Sequence, residues 1–101
     1  MPTAAHPPSR PQGVVVFAVD KRKVSAFYQR TLGLAVVERA AGHDLLQGPT
    51  QEVVVHAIPK RIAAEIVIET PPRPREDTPL KPTFVVTDLD AVRAAAEATG
   101  G

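Results

Sequence analysis

The 101-residue sequence contains no cysteine and no tryptophan, and only 4% of its residues are aromatic. The lack of cysteine excludes disulfides, thiol nucleophiles, zinc–thiolate sites and iron–sulfur clusters. Neither charge sign dominates, because 12 basic residues nearly balance 11 acidic ones to give a net charge of +1. Nucleic-acid binding relies on a basic surface or on aromatic stacking platforms, so we expect no nucleic-acid partner.

Long hydrophobic runs are also missing. No apolar run approaches the roughly 20 residues that span a bilayer, and none forms a signal-peptide core behind a basic start. We therefore expect a cytoplasmic protein with no membrane partner. The length suits one domain. Proline is concentrated in two places: residues 1–12 predict a disordered N-terminal arm, and residues 71–81 predict a stiff, Pro-rich linker.

Between these segments the sequence predicts a strand, a helix and further strands. Val14–Val19 is apolar and β-branched, which is typical of a buried strand. Asp20 is a suitable N-cap for a helix over residues 21–31, and Gly33 is suited to end that helix. Three more strands are predicted at residues 34–39, 43–47 and 52–58.

The last third of the sequence predicts fewer elements. Glu65–Glu69 alternates apolar and acidic residues, as a strand or an extended edge segment would. Thr83–Val86 predicts another strand. A second helix follows it, capped by Thr87 or Asp88, and Gly100 is expected to end that helix.

Part of the sequence repeats weakly at an offset of 68 positions. At that offset Val16–Asp20 falls on Phe84–Asp88, and Gly33 falls on Gly101. Each copy predicts a strand, an aspartate cap, a helix and a glycine stop. The pattern therefore predicts two related structural modules, of which the second is shorter.

Two segments of the first module carry a family resemblance: Val14–Asp20, and residues 26–34 with the sequence AFYQRTLGL. Through them the chain resembles the vicinal oxygen chelate superfamily, which includes glyoxalase I, bleomycin-resistance proteins and extradiol dioxygenases. Proteins of this superfamily contain paired βαβββ modules, whose curved sheets form a cup around the ligand. The resemblance implies an α+β fold in which residues 13–70 form one complete βαβββ module.

Residues 82–101 then look like the first strand and helix of a second module that lacks its last three strands. The resemblance therefore implies that the chain is truncated: either a fragment or an obligate assembler.

Metal-dependent members of the superfamily bind a divalent ion through His, Gln or Glu side chains on the first and last strands of each module. The first-strand positions fall near Gly13 or Val14 and near Pro82, whose side chains cannot bind a metal. His56 falls near the last-strand position and is the only metal candidate. The resemblance thus implies no cofactor, with a divalent metal ion as the alternative. His43 is expected to be a solvated turn residue.

The resemblance implies a metal-independent small-molecule-binding protein that forms its cup in a homodimer. The candidate ligand-binding residues are Phe17, His56 and Glu69, and no catalytic residue is identified. Glu65 and Glu69 would lie about 13 Å apart along a strand, which is too far for a paired acid and base. Two alternatives remain: a metal-dependent lyase or dioxygenase completed by a partner chain or by further C-terminal strands, and a non-catalytic dimerisation module.

Overall fold

The computed structural model describes residues 12–101. The predicted N-terminal arm lies outside them except for Gln12, which begins the first strand. The elements in chain order are β1 (Gln12–Ala18), α1 (Lys21–Leu32), β2 (Ala35–Arg39), β3 (His43–Gln47), β4 (Gln51–Ala57), α2 (Lys60–Ala63) and α3 (Leu89–Ala98). The first five form the predicted βαβββ module, which confirms the α+β fold class.

The four strands form one sheet in the order β1-β4-β3-β2. β1 pairs with β4 in parallel, with Gln12 opposite Gln51 and Ala18 opposite Ala57. β4 pairs with β3, and β3 with β2, in antiparallel fashion. β1 and β2 therefore lie at the two outer edges of the sheet, and β4 has a neighbour on both sides.

Helix α1 begins at the residue that the sequence predicts and extends one residue past the predicted end, to Leu32. The Asp20 side chain accepts a hydrogen bond from the Lys23 backbone N–H at 3.1 Å, which satisfies one free donor of the first turn. Gly33 has φ 66°, a left-handed conformation that glycine adopts without a steric penalty. Val24 and Tyr28 pack from α1 against the core.

The core lies between α1 and one face of the sheet. Alternate residues of β3 and β4 point towards α1, and among them Leu46, Val53 and Val55 have no exposed surface. Residues at the intervening positions form the opposite face, which we call the open face. Its members on β1, β4 and β3 are Gly13, Val15, Phe17, Glu52, Val54, His56, His43, Leu45 and Gln47.

From the sequence His43 is expected to be a turn residue, whereas in the structure His43 is the first residue of β3. It is half-buried, and its Nε2 lies 3.6 Å from Oε1 of Glu38. The hydrogen bond from Ala40 N–H to the His43 carbonyl holds this end of the strand pair. His43 is thus part of the sheet.

The strand predicted at Glu65–Glu69 does not form. The chain instead makes the short helix α2 after Pro59, and the turn continues as the Ile66 N–H donates to the carbonyl of Ala63. Val67 is then 73% exposed. A strand needs a hydrogen-bonding neighbour: β4, which precedes this segment, is already paired on both sides, and the segment pairs with neither free edge of the sheet, at β1 or at β2.

The strand predicted at Thr83–Val86 is also absent: this segment has no regular secondary structure. Phe84 packs against the core, whereas Val85 is 84% exposed. The following helix α3 is capped by Asp88, which accepts a hydrogen bond from the Ala91 N–H at 3.1 Å. Of the two predicted N-caps, Thr87 and Asp88, Asp88 is therefore the residue that caps α3. None of the helices between Gln12 and Gly101 has the length and apolar character needed to cross a membrane.

Candidate functional site

Two of the three predicted ligand-binding residues meet on the open face. Phe17 on β1 lies directly beside His56 on β4. Their rings are arranged edge to face, with centroids 5.8 Å apart and an interplanar angle of 76°. Val15 and Phe17 are 56% and 59% exposed. This part of the open face therefore presents an apolar surface next to an imidazole that can donate or accept a hydrogen bond.

The third residue, Glu69, lies elsewhere. It belongs to the segment after α2, where its Oε2 lies 3.3 Å from Nε of Arg73. Both side chains line a concave region of about 500 Å³, and the remaining lining residues are Val67, Ile68, Pro74, Arg75, Glu76 and Asp77. Glu69 is thus part of a charged, solvent-exposed loop rather than of the sheet.

Glu52 is a residue of the open face that the sequence analysis missed. It is 7% exposed, and its Oε1 accepts a hydrogen bond from Nε2 of Gln47 at 2.8 Å. It lies opposite Gly13 in the parallel β1–β4 pair. The alternation of β4 could have revealed it, because Val53 and Val55 point inward and Glu52 must then share a face with His56.

The positions that the resemblance assigns to a metal do not form a metal site. His56 lies beside Phe17, about 13 Å along the strand from Gly13. The backbone partner of Gly13 is instead Glu52, and a Cβ on Gly13 would collide with the carbonyl oxygen of Glu52 and lie 2.9 Å from its Cβ. A side-chain ligand therefore cannot be placed there without moving a strand.

Pro82, which the resemblance places at the metal position on the first strand of the second module, offers no metal ligand either. Pro82 and Gly13 line one pocket of about 190 Å³, whose other lining residues are Gln12, Val14, Thr50, Gln51, Thr83 and Phe84. None of these side chains is ionisable. Across residues 12–101, no group of three or more His, Asp or Glu side chains is arranged to hold a metal ion. The residues present do not fit the superfamily's chelate site.

A buried carboxylate lies on the opposite face of the sheet, beneath α1. Asp44 on β3 has no exposed surface. It accepts hydrogen bonds from Nζ of Lys21 at 2.5 Å and from Oγ of Ser25 at 2.7 Å. Nε of Arg39 on β2 lies 3.5 Å away. Asp44 thus links the first turns of α1 to β2 and β3.

Opposing effects act on the pKa of Asp44. Burial is the largest effect and raises the pKa, because it disfavours the charged form. The hydrogen bonds from Lys21 and Ser25 and the charges of Arg39 and Lys21 lower it, and together they bring the pKa below its ordinary value of 3.8. The carboxylate is therefore ionised at neutral pH. Because the Asp44 carboxylate itself is closed off from solvent, we interpret this cluster as a structural element.

Comparisons with known proteins agree with the fold. No protein-family model matches the sequence, and no curated protein matches it. A glyoxalase/bleomycin resistance protein/dioxygenase family enzyme from Burkholderia phytofirmans PsJN is similar in structure, with a TM-score of 0.54 and 21% identity over 87% of this chain and 71% of that one. A lactoylglutathione lyase from Agrobacterium tumefaciens is 17% identical over 92% of this chain and 72% of its own, with a TM-score of 0.46.

The likeness to the Burkholderia enzyme, at 21% identity, shows the fold. It confirms that the chain has the glyoxalase/bleomycin-resistance architecture implied by the sequence resemblance. A fold of this kind supports several unrelated activities, so the function has to be inferred from the residues of the site.

Proposed function

We propose that this chain is a cytoplasmic small-molecule-binding protein of the glyoxalase/bleomycin-resistance type. In this proposal the ligand lies on the open face against Phe17 and His56, and no metal ion is needed at the superfamily's chelate position. A second copy of the chain closes the cup. The observation that carries the proposal is the exposed aromatic side chain beside an imidazole on the face that α1 leaves uncovered.

The physical basis for ligand binding is the apolar surface at β1. An aromatic side chain buries on the order of 150–250 Å² when fully covered, and apolar burial contributes about 25 cal/mol per Å². Phe17 is 59% exposed, so a ligand that covers it gains much of this stabilisation. His56 adds a directional polar group, which favours a ligand with both an aromatic surface and a hydrogen-bonding atom.

Independence from a metal is supported by the close packing of β1 on β4. Gly13 has no room for a side chain above Glu52, and Glu52 already accepts a hydrogen bond from Gln47. The ligand is therefore expected to be held by apolar contact and hydrogen bonds alone.

Replacement of Phe17 by alanine is expected to weaken ligand binding about tenfold, because an aromatic anchor is worth on the order of 1.4 kcal/mol or more. The measurement is fluorescence titration with 8-anilinonaphthalene-1-sulfonate, followed by calorimetry with a panel of aromatic carboxylates and glycopeptides. Leu80→Ala removes an even more exposed apolar side chain from the loop before α3, and Glu69→Gln alters the charged concave region. Both controls should bind like the parent.

Two results would contradict ligand binding on the open face. One is the absence of binding by the parent protein to every compound tested. The other is equal loss of affinity in Leu80→Ala and Phe17→Ala, which would indicate non-specific contact with exposed apolar side chains.

A homodimer is expected because a cup needs a second wall, and residues 12–101 form only one four-stranded sheet. Several large apolar side chains outside the sheet are also exposed, namely Ile62, Ile66, Val67, Ile68, Leu80, Val85 and Leu89. Pairing with a second copy would cover part of this surface. Light scattering at micromolar concentration should give twice the mass of one chain, and a stable monomer would contradict the dimer.

The same exposed side chains favour a second candidate function, a non-catalytic assembly module. The two functions are distinguished by combining the two measurements. A dimer that binds no compound would support the assembly module, whereas a dimer whose binding depends on Phe17 would support the small-molecule protein.

A further inference from the structure

Two histidines face each other on adjacent strands at the end of the open face away from Gly13. His43 on β3 and His56 on β4 are direct partners in the antiparallel register. Side chains at directly opposite positions have Cβ atoms about 4.5–5.5 Å apart and project from the same face. Two imidazoles can therefore reach one ion at the metal–nitrogen distance of about 2.0–2.1 Å that zinc prefers.

A carboxylate stands beside one member of this pair. Oε1 of Glu38 on β2 lies 3.6 Å from Nε2 of His43. A metal-binding histidine usually directs its second ring nitrogen at a carboxylate, which fixes the ring and makes the first nitrogen a better ligand. With Nε2 of His43 next to Glu38, Nδ1 is the nitrogen left for a metal.

The other histidine is also restrained. The ring of His56 stands edge to face with Phe17, which limits the orientations that the imidazole can adopt. Both histidines are accessible: His56 is exposed, and the His43 side chain is 38% exposed. An ion can thus reach the pair from solvent without any opening of the fold.

We propose that His43 and His56 bind one divalent transition-metal ion, with Glu38 as the partner of the His43 ring. No group of three or more His, Asp or Glu ligands is arranged to hold an ion within residues 12–101, so the site is a two-imidazole chelate completed by water. Imidazole nitrogens favour Cu²⁺, Ni²⁺ and Zn²⁺ over Mg²⁺ and Ca²⁺, and among the three Cu²⁺ binds most tightly.

The sequence places His56 near the last-strand ligand of the superfamily's chelate position, but the structure separates His56 from that position. Gly13 and Glu52 lie four residues before Phe17 and His56 on the same strand pair, which corresponds to about 13 Å. The metal site shares His56 with the proposed ligand surface, but the metal titration contains no small molecule, so its outcome does not depend on ligand binding.

The test is a titration of the full chain with NiCl₂ and with ZnCl₂ by calorimetry, with MgCl₂ as the ion expected not to bind. We expect a 1:1 complex with Ni²⁺ or Zn²⁺. His43→Ala and His56→Ala should each weaken it by about tenfold or more, and Glu38→Gln by a smaller factor. The control variant is His6→Ala, which removes the remaining histidine of the chain and should leave the affinity unchanged.

A second readout does not require a variant. Paramagnetic Cu²⁺ at substoichiometric concentration should broaden the imidazole resonances of His43 and His56 together in the NMR spectrum of the parent protein. Affinity that survives both single replacements, or that disappears in His6→Ala, would overturn the proposal. Broadening of the His6 imidazole without that of the other two would do the same.

Discussion

Replacement of Asp44 by alanine is expected to lower the free energy of unfolding by about 3–5 kcal/mol. The carboxylate has no exposed surface and holds Lys21 and Ser25 by short hydrogen bonds. Without it, the Ser25 hydroxyl and the Lys21 ammonium lose their partner beneath α1. Removing one member of a buried ion pair costs more than the pair contributes in net terms, because the remaining group stays desolvated.

Denaturant unfolding followed by circular dichroism measures this loss. Glu69→Ala is the matched control, because it also removes a carboxylate that pairs with an arginine, but the pair is exposed, with 76% of the Arg73 side chain accessible. Exposed ion pairs contribute little to stability, so the free energy of unfolding of the control should be close to that of the parent. An Asp44→Ala variant as stable as Glu69→Ala would show that the buried cluster does not hold the fold together.

The Asp44 carboxylate also determines how the free energy of unfolding is expected to depend on pH. Its pKa in the folded protein lies below the ordinary value of 3.8, so the unfolded chain takes up a proton at higher pH than the folded one. The stabilisation is therefore fully present above about pH 4 and is lost as the pH falls through the folded pKa. The unfolding free energies of the parent and of Asp44→Asn, measured between neutral pH and about pH 2.5, should converge at the acid end. Parallel profiles would contradict this role.

Replacement of Gly13 by alanine is expected to lower the free energy of unfolding by about 1–3 kcal/mol, the usual effect of overpacking. A Cβ at this position would collide with the backbone carbonyl of Glu52. A backbone atom within a paired strand cannot rotate away as a flexible side chain can. β1 would have to separate from β4 at its first residues, which also disturbs the part of the open face next to Val15.

Gly42→Ala is the control for this substitution. A Cβ at Gly42 would meet no atom within 4 Å. Alanine also has less conformational entropy than glycine in the unfolded chain, which favours the folded state slightly. The two glycine variants should therefore differ in thermal unfolding temperature, with Gly13→Ala the lower. Equal melting temperatures would mean that β1 adjusts to the side chain without loss of pairing.

The sequence was most informative where structure depends on near neighbours. Asp20 and Gly33 were identified as the ends of α1 because capping depends on residues three or four positions apart. The strands of the module were identified because their apolar patterns are local. Of the two alternatives at Glu65–Glu69, a strand or an extended edge segment, the strand is wrong, because alternation records a local preference for extended backbone, whereas a strand must also reach a sheet edge and pair with it.

Asp44 and Glu52 were missed for a different reason. Each is a charged residue in a short strand. The face of the sheet that such a residue occupies can be assigned only after one of its strand neighbours has been placed in the core. Once Leu46 is placed in the core, Asp44 must point the same way, beneath α1. The pairing of His43 with His56 likewise depends on the register of β3 on β4, which is a tertiary property.

The parallel pairing of β1 with β4 has a consequence for how the chain folds. Gln12 meets Gln51, so this contact closes a long loop, whereas the β2–β3–β4 meander forms from consecutive strands. Contacts between residues distant in sequence form slowly because loop closure costs chain entropy. We therefore expect the meander to form early and β1 to join the sheet late, and β1 carries Val15 and Phe17. The surface proposed to bind ligand would then exist only once folding is complete, and a bound ligand would slow the unfolding of the whole module.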